Sequence, residues 1–472
     1  MLGLFGIVLS LVLLMYLAYR GINVLILAPL LALLATLFAG GLPVLATYTQ
    51  VFMASLGKYV VQFFPLFLLG AIFGKLMEDS GSARVIAHWI VERVGSARAI
   101  LAVVLACAIL TYGGVSLFVV AFAVFPVAAA LFREAGVPKR LIPGTIALGS
   151  FTFTMTALPG TPQIQNAIPA PFFGTDAFAA PGLGLIAAAI MFTGGLLWLQ
   201  FRASSARARG EGYGAAEERF GPDTVGAARV GALPMERHPP HVLIALTPIV
   251  LVIVVNYLFL NFVVPTMDTG YLAEPKYGET TVNAVRGIWS IIVALFVAIL
   301  VLIALNWSRL VDVKRSVNEG TMGSLLPIFN TASEVGYGTT IASLPAFAMV
   351  RDAVLNIAPG NPVVSLAVAV NVLAGITGSA SGGMSIALQT LGETYMEMAQ
   401  QFQIDPEILH RVSSLASGGF DTLPHNGAVI TLLAICGLTH RDSYVDIGVV
   451  AVVVPVLALI VVLILATLFG SF

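Results

Sequence analysis

The apolar positions of this chain gather in runs long enough to cross a bilayer, which takes about 20 consecutive apolar residues per helix. The clearest runs are 2–19, 22–38, 242–262, 288–307 and 447–469. The first lacks a basic leader and a small-x-small cleavage site, and a second apolar run follows almost at once. It is therefore expected to stay as a membrane span rather than be removed as a signal peptide. The pattern predicts an all-α membrane protein with about ten transmembrane helices.

Four segments interrupt the apolar pattern where membrane depth is expected: 111–116 (TYGGVS), 154–166 (TMTALPGTPQIQN), 376–384 (ITGSASGGM) and 417–426 (SGGFDTLPHN). Each combines Gly or Pro with hydroxyl or amide side chains. Proline removes a backbone donor and disrupts a helix, and glycine permits unwound backbone. Bare backbone groups are tolerated at that depth only inside protein or beside a cavity. Small residues also line ordinary membrane-helix contacts, so an isolated glycine says little. Four polar breaks together point to a shared binding cavity.

The breaks recur in order. Pro65-Leu66-Phe67 followed by Gly74 matches Pro327-Ile328-Phe329 followed by Gly336, an offset of 262 positions. Gly113 and Ser116 match Gly378 and Ser381, and Leu158-Pro159 matches Leu423-Pro424, at an offset of 265. One three-residue insertion reconciles the two, which makes an internal duplication the better account. The first repeat is expected over 1–201, with a hairpin tip near 111–116 and a broken helix at 140–166. A linker rich in Ala, Gly, Arg and Glu covers 202–240. The second repeat covers 241–472, with a hairpin tip near 377–383 and a broken helix at 411–436.

Charge placement orients this scheme. If the two glycine-rich tips belong to re-entrant hairpins, the chain makes ten spans with both termini outside. On that trace 18 of the 23 Lys and Arg fall on one face, and only Lys58, Lys276, Arg286, Arg351 and Arg411 on the other. The positive-inside rule makes the crowded face, with the 202–240 loop, cytoplasmic. The repeats are then inverted, the arrangement of secondary transporters that bind near the midplane. A composition 58% hydrophobic and only 10% charged, against about 25% charged in soluble domains, excludes a water-filled fold. The net charge of −1 says nothing about partners, and no nucleic-acid partner is expected. Cys107 and Cys436 each lie inside an apolar run without metal-ligand spacing, so no metal or cofactor is expected.

No Lys or Arg falls in the four breaks, so an anion there would rely on hydroxyls and on helix N-termini, which carry roughly +0.5 charge and free amides. The candidate substrate-binding residues are Tyr112, Gly113, Gly114, Ser116, Thr154, Thr156, Gly160, Thr161, Gln163 and Asn166 from the first repeat. From the second they are Thr377, Gly378, Ser379, Ser381, Gly382, Thr422, His425 and Asn426. Glu334, Asp421 and His425 are candidate proton carriers, because ionisable side chains at membrane depth are costly and functional by default. Each has a structural alternative: a hydrogen bond to a neighbouring helix, a cap on the broken helix, or satisfaction of backbone carbonyls.

The strings TYGGVSLFVV, GSFTFTMTALPGTPQIQNAIP and GGFDTLPHNGAVITLLAICGLTHRDSY resemble the gluconate permease family of proton symporters. Leu423-Pro424-His425-Asn426 is similar to its hydroxybutyrate or general carboxylate branch. The resemblance implies membership of the ion-transporter superfamily, with paired hairpins, a homodimer and an elevator motion in a bacterial inner membrane. The function expected is proton-coupled uptake of a small monocarboxylate such as gluconate or 3-hydroxybutyrate. Sodium coupling, a passive anion channel and an intramembrane hydrolase built on Asp421 and His425 are the alternatives.

Overall fold

A computed structural model describes residues 2–20, 22–214, 239–358, 360–424 and 426–472. Among these residues there is no strand, and the protein is all-α. The first half runs α1 Leu2–Tyr19, α2 Val24–Ala39, α3 Val44–Asp79, α4 Ser82–Val94, α5 Ala99–Tyr112, α6 Leu117–Glu134, α7 Ile142–Ser150 and α8 Pro181–Ala208. The second runs α9 Val242–Thr266, α10 Val282–Leu305, α11 Val313–Ser343, α12 Phe347–Leu355, α13 Pro362–Thr377, α14 Ala380–Gln401, α15 Pro406–Ser417, α16 Gly427–Cys436 and α17 His440–Phe469.

Helices α3, α8, α9, α10 and α17 are each long and apolar enough to cross a membrane, and α4 bends by 101° into the segment that contains α5. Shorter apolar helices, α2 and α13 among them, complete the set. Large apolar side chains such as Leu30, Val250, Phe296, Leu300, Leu457 and Ile464 point outward and exposed. That is the inverse of a soluble surface and suits contact with lipid tails.

The helix order is doubled. α5 ends at Tyr112 and α13 at Thr377, the same offset that relates the sequence motifs. The packing is doubled as well, with the halves exchanged. α2 packs on α11 as α10 packs on α3, α1 on α2 as α9 on α10, and α7 on α8 as α15 on α17. α3 and α11, which are repeat-mates, lie along each other at the centre. Reciprocal packing of this kind is what a two-fold relation between the halves produces. Lys75 ties the central pair at one end, 3.0 Å from Asp79 on its own helix and 3.2 Å from Glu319 on α11.

Both glycine-rich tips are tight turns between helices packed side by side, α5 with α6 and α13 with α14. Gly114 (φ +91°) and Gly378 (φ +65°) make the reversals, in a left-handed conformation that a Cβ penalises. Both predicted broken helices are interrupted. α7 stops at Ser150 and helix returns only as short turns at Phe153–Thr156 and Ile164–Ala167, and α15 stops at Ser417 before α16 starts at Gly427. The second begins earlier than expected, at Pro406, because Asp405 caps it by accepting from the Glu407 amide at 2.9 Å.

Two further details differ from expectation. α8 continues past residue 202 to Ala208, because Arg202 is held by Asp446 at 2.7 Å instead of opening a loop. Of the 202–240 linker, 215–238 lie outside the described residues. Arg411, expected at an aqueous face, is fully buried. Its guanidinium donates to the carbonyls of Ala179 (2.6 Å) and Ala177 (3.5 Å) and to Asn166 Oδ1 (3.1 Å).

Candidate functional site

The helix breaks converge. A cavity of about 640 Å³ is lined by both hairpin tips, by both ends of the first break and by the middle and end of the second. Gly114, Ser116 and Leu117 come from the first tip, Thr377–Ser381 from the second. Pro162, Gln163, Ile164 and Gln165 come from the first break, and Asp421, Asn426 and Gly427 from the second. α3 and α11 close the sides through Leu66, Phe67, Pro327, Asn330, Thr331 and Glu334.

Three helices begin at this cavity, α6, α14 and α16. In two of them a side chain fixes the first turn: Ser379 Oγ accepts from the Gly382 amide at 3.0 Å, and Asn426 Oδ1 from the Val429 amide at 2.9 Å. Asn426 also donates to the Gly378 carbonyl at 2.9 Å, which fastens the second break to the second tip. The first break is fastened to the first tip in the same manner. Tyr112 donates its hydroxyl to the Pro159 carbonyl (2.7 Å), and Gln163 Nε2 donates to the Thr111 carbonyl (2.7 Å). Helix starts that converge on one hollow give it a positive partial charge from backbone dipoles.

The formal charges have the opposite sign. Glu334 and Asp421 are both buried and both line the cavity, and no Lys, Arg or His does so among the described residues. Glu334 sits on α11 facing the first turn of α14, with its carboxylate against Gly382 and Ser379. Glu334 Oε2 and Asp421 Oδ1 have no hydrogen-bond partner, and neither do Asn330 Oδ1 and Gln165 Oε1 on the same wall. Buried acceptors without protein donors carry a desolvation cost, which water, a substrate or a bound cation in the cavity can offset.

The structure brings Gly114, Ser116, Gln163, Thr377, Gly378, Ser379, Ser381, Asn426, Glu334 and Asp421 together on one wall. The remaining sequence candidates lie behind it. Tyr112 braces Pro159, and Gly113 makes room for Ile249 of α9. Thr154 and Thr156 return their hydroxyls to the carbonyls of Gly149 (2.8 Å) and Thr152 (3.2 Å). Gly160 takes φ +79° against Phe178, and Thr161 is buried away from the cavity. Asn166 donates to the carbonyls of Thr161 (3.0 Å) and Ala177 (2.9 Å) while receiving Arg411. Gly382 underlies the Glu334 carboxylate, and Thr422 bonds the Ala451 carbonyl at 3.0 Å. His425 lies outside the described residues.

Asn330, Thr331 and Gln165 escaped the sequence reading. Asn330 and Thr331 stand four and three positions before Glu334, the spacing that shares a helix face, and that signal could have found them. Thr331 Oγ1 approaches Ser381 Oγ at 3.4 Å, which links α11 to the second tip.

No known family profile matches the chain. It is 48% identical over 446 residues to the uncharacterized transporter YxjC of Bacillus subtilis (strain 168), covering 93% of this chain and 94% of that one.

Proposed function

This chain belongs to the family of the transporter YxjC, and from that premise we propose that it is a secondary active transporter that takes up a small organic monocarboxylate together with protons. One observation carries the reading: a cavity ringed by helix starts holds two buried acids and no formal cation among the described residues. A carboxylate is drawn by the helix ends and repelled by two ionised carboxylates at short range. Protonating Glu334 or Asp421 weakens that repulsion, and protonating both removes it, so proton binding and anion binding strengthen each other, and the coupling is reciprocal.

Hydroxyls of Ser116, Thr331 and Ser381 remain for an alcohol group of the substrate. Leu66, Phe67, Phe151, Met155 and Leu295 offer it an apolar side. A short hydroxy-acid such as 3-hydroxybutyrate suits this mixed lining better than gluconate, whose chain is hydroxylated throughout. The same reading expects two inverted repeats, a homodimer in the bacterial plasma membrane, termini outside, the 202–240 loop inside, and an elevator-type exchange.

The test is uptake of radiolabelled 3-hydroxybutyrate by proteoliposomes under an inward proton gradient without sodium, with gluconate as competitor. Accumulation above the bath supports symport, and mere equilibration would point to a passive channel. The four unpartnered oxygens of Glu334, Asp421, Asn330 and Gln165 favour one rival, since they could ligate a hard cation. Uptake driven by sodium and indifferent to pH selects that rival.

A further inference from the structure

The helix starts at the cavity are not equally available to a ligand. At the second tip α14 begins capped, with Ser379 Oγ holding the Gly382 amide at 3.0 Å. The Glu334 carboxylate then lies over Gly382, in the space a Cβ would need. Asn426 caps α16 in the same way. At the first tip, α6 starts after Ser116 with no side-chain cap among the described residues. Its first intrahelical bond runs from the Val120 amide to the Ser116 carbonyl (3.0 Å), so the amides before Val120 have no partner within the helix.

The helices that face the two tips differ in the same sense. α11 presents Glu334 to the start of α14, whereas α3 presents glycine to the start of α6. A Cβ on Gly74 would lie 3.5 Å from the Ser116 amide nitrogen. Gly70 stands one turn earlier on that face of α3. It lines the cavity, and a Cβ there would meet nothing within 4 Å. At the offset of 262 that matches Pro65 to Pro327, Glu334 falls on Ile72. Ile72 does not line the cavity, and its Cα lies 2.8 Å from where a Cβ on Gly320 would be. The second tip thus holds a carboxylate from the chain itself, and the first faces open space.

A second group on the first-tip side lacks a partner. Gln163 Nε2 donates to the carbonyls of Thr111 (2.7 Å) and Val115 (3.4 Å), which holds the first break against that tip. Gln165, two positions on, is only 8% exposed, lines the cavity and leaves Oε1 unpartnered. A hydroxy-acid supplies what both features lack. Its carboxylate suits the α6 amides and the Ser116 hydroxyl, and its alcohol group can donate to Gln165.

We propose that Glu334 limits the substrate to one carboxylate: it fills the place of a second at the start of α14, leaves the start of α6 for the substrate and so excludes dicarboxylates. This rests on the monocarboxylate reading above and gives it a physical cause. A second substrate carboxylate would have to displace Glu334 or lie beside it and Asp421, and like charges at short range are strongly unfavourable. With Glu334 truncated, a dicarboxylate brings back the charge that the wild type holds together with a monocarboxylate.

The experiment is calorimetric titration of purified wild type, Glu334→Ala, Glu334→Ser and Glu334→Gln at neutral pH. The ligands are 3-hydroxybutyrate, succinate, glutarate and the monomethyl esters of the two diacids. The wild type is expected to bind each monoester at least about tenfold more tightly than its diacid. The Ala and Ser variants should bind succinate or glutarate at least about tenfold more tightly than the wild type does. Glu334→Gln, neutral but of the same size, should show no such gain. Equal wild-type affinity for diacid and monoester overturns the proposal, and that comparison needs no variant. Folded Ala and Ser variants without a gain for either diacid also overturn it, as does a Gln variant that gains as much as Ala. If the wild type binds none of the monocarboxylates, the monocarboxylate reading itself fails and this inference with it. If it binds them and the selectivity does not change, only the role given to Glu334 fails.

Discussion

The carboxylate of Glu334 occupies the space that a side chain on Gly382 would need. The acid comes from the middle of α11 and the glycine from the third residue of α14. Their contact joins the central helix pair to the second hairpin tip. It also sets the acid over the first turn of a 22-residue helix, where free amides favour negative charge.

Gly382→Ala is expected to force the acid or the hairpin aside. Overpacking of this kind costs about 1–3 kcal/mol, and the displaced acid should abolish gradient-driven uptake. Thermal unfolding in detergent and transport in proteoliposomes read the two effects. A variant with wild-type melting and uptake would show that the contact is dispensable.

Glu334→Gln and Asp421→Asn preserve shape and imitate the protonated acids. Each is expected to keep exchange of 3-hydroxybutyrate while lowering uphill, proton-driven accumulation by about tenfold or more. If both variants accumulated substrate as the wild type does, neither acid would couple transport to protons.

Arg411 fastens the first break to the second repeat through Ala177, Ala179 and Asn166. Arg411→Met leaves the buried Ala179 carbonyl without its donor, at about 1–3 kcal/mol. Arg411→Lys should rescue little, because one ammonium cannot reproduce the planar fork. Melting temperatures of both variants decide this, and wild-type values would rule out the clamp.

Beyond the membrane segments, Glu211 meets Arg140 at 2.7 Å. Above all, the hydrogen bond from Arg140 holds its carboxyl below the ordinary glutamate range. A folded-state value below the unfolded one adds stability that is present above the unfolded value and lost as pH falls toward the folded one. The wild type should therefore lose stability as pH falls below the ordinary glutamate value of 4.5 more steeply than Glu211→Gln. Melting curves across that range test this, and parallel slopes would contradict it.

The helix breaks were legible from composition alone, because Gly114, Gly378 and the prolines act on the backbone they belong to. The spacing of 265 positions between the two tip motifs also separates the ends of α5 at Tyr112 and α13 at Thr377. The candidate site was legible in part. Ser116, Ser379, Ser381, Glu334 and Asp421 reach the cavity, whereas Thr154, Thr156 and Asn166 bond to backbone carbonyls instead. Asn330 and Thr331 were missed because α11 was read for its charge and not for the face around it.

The sequence by itself determined that the chain is an all-helical membrane protein and where its polar breaks fall. Those properties follow from apolar run length and from residues that alter their own backbone. Tertiary structure alone decided which polar side chains face the hollow. That choice depends on whether a hydroxyl or amide finds a nearer acceptor behind it, as Asn166 finds partners that include Arg411, 245 positions away.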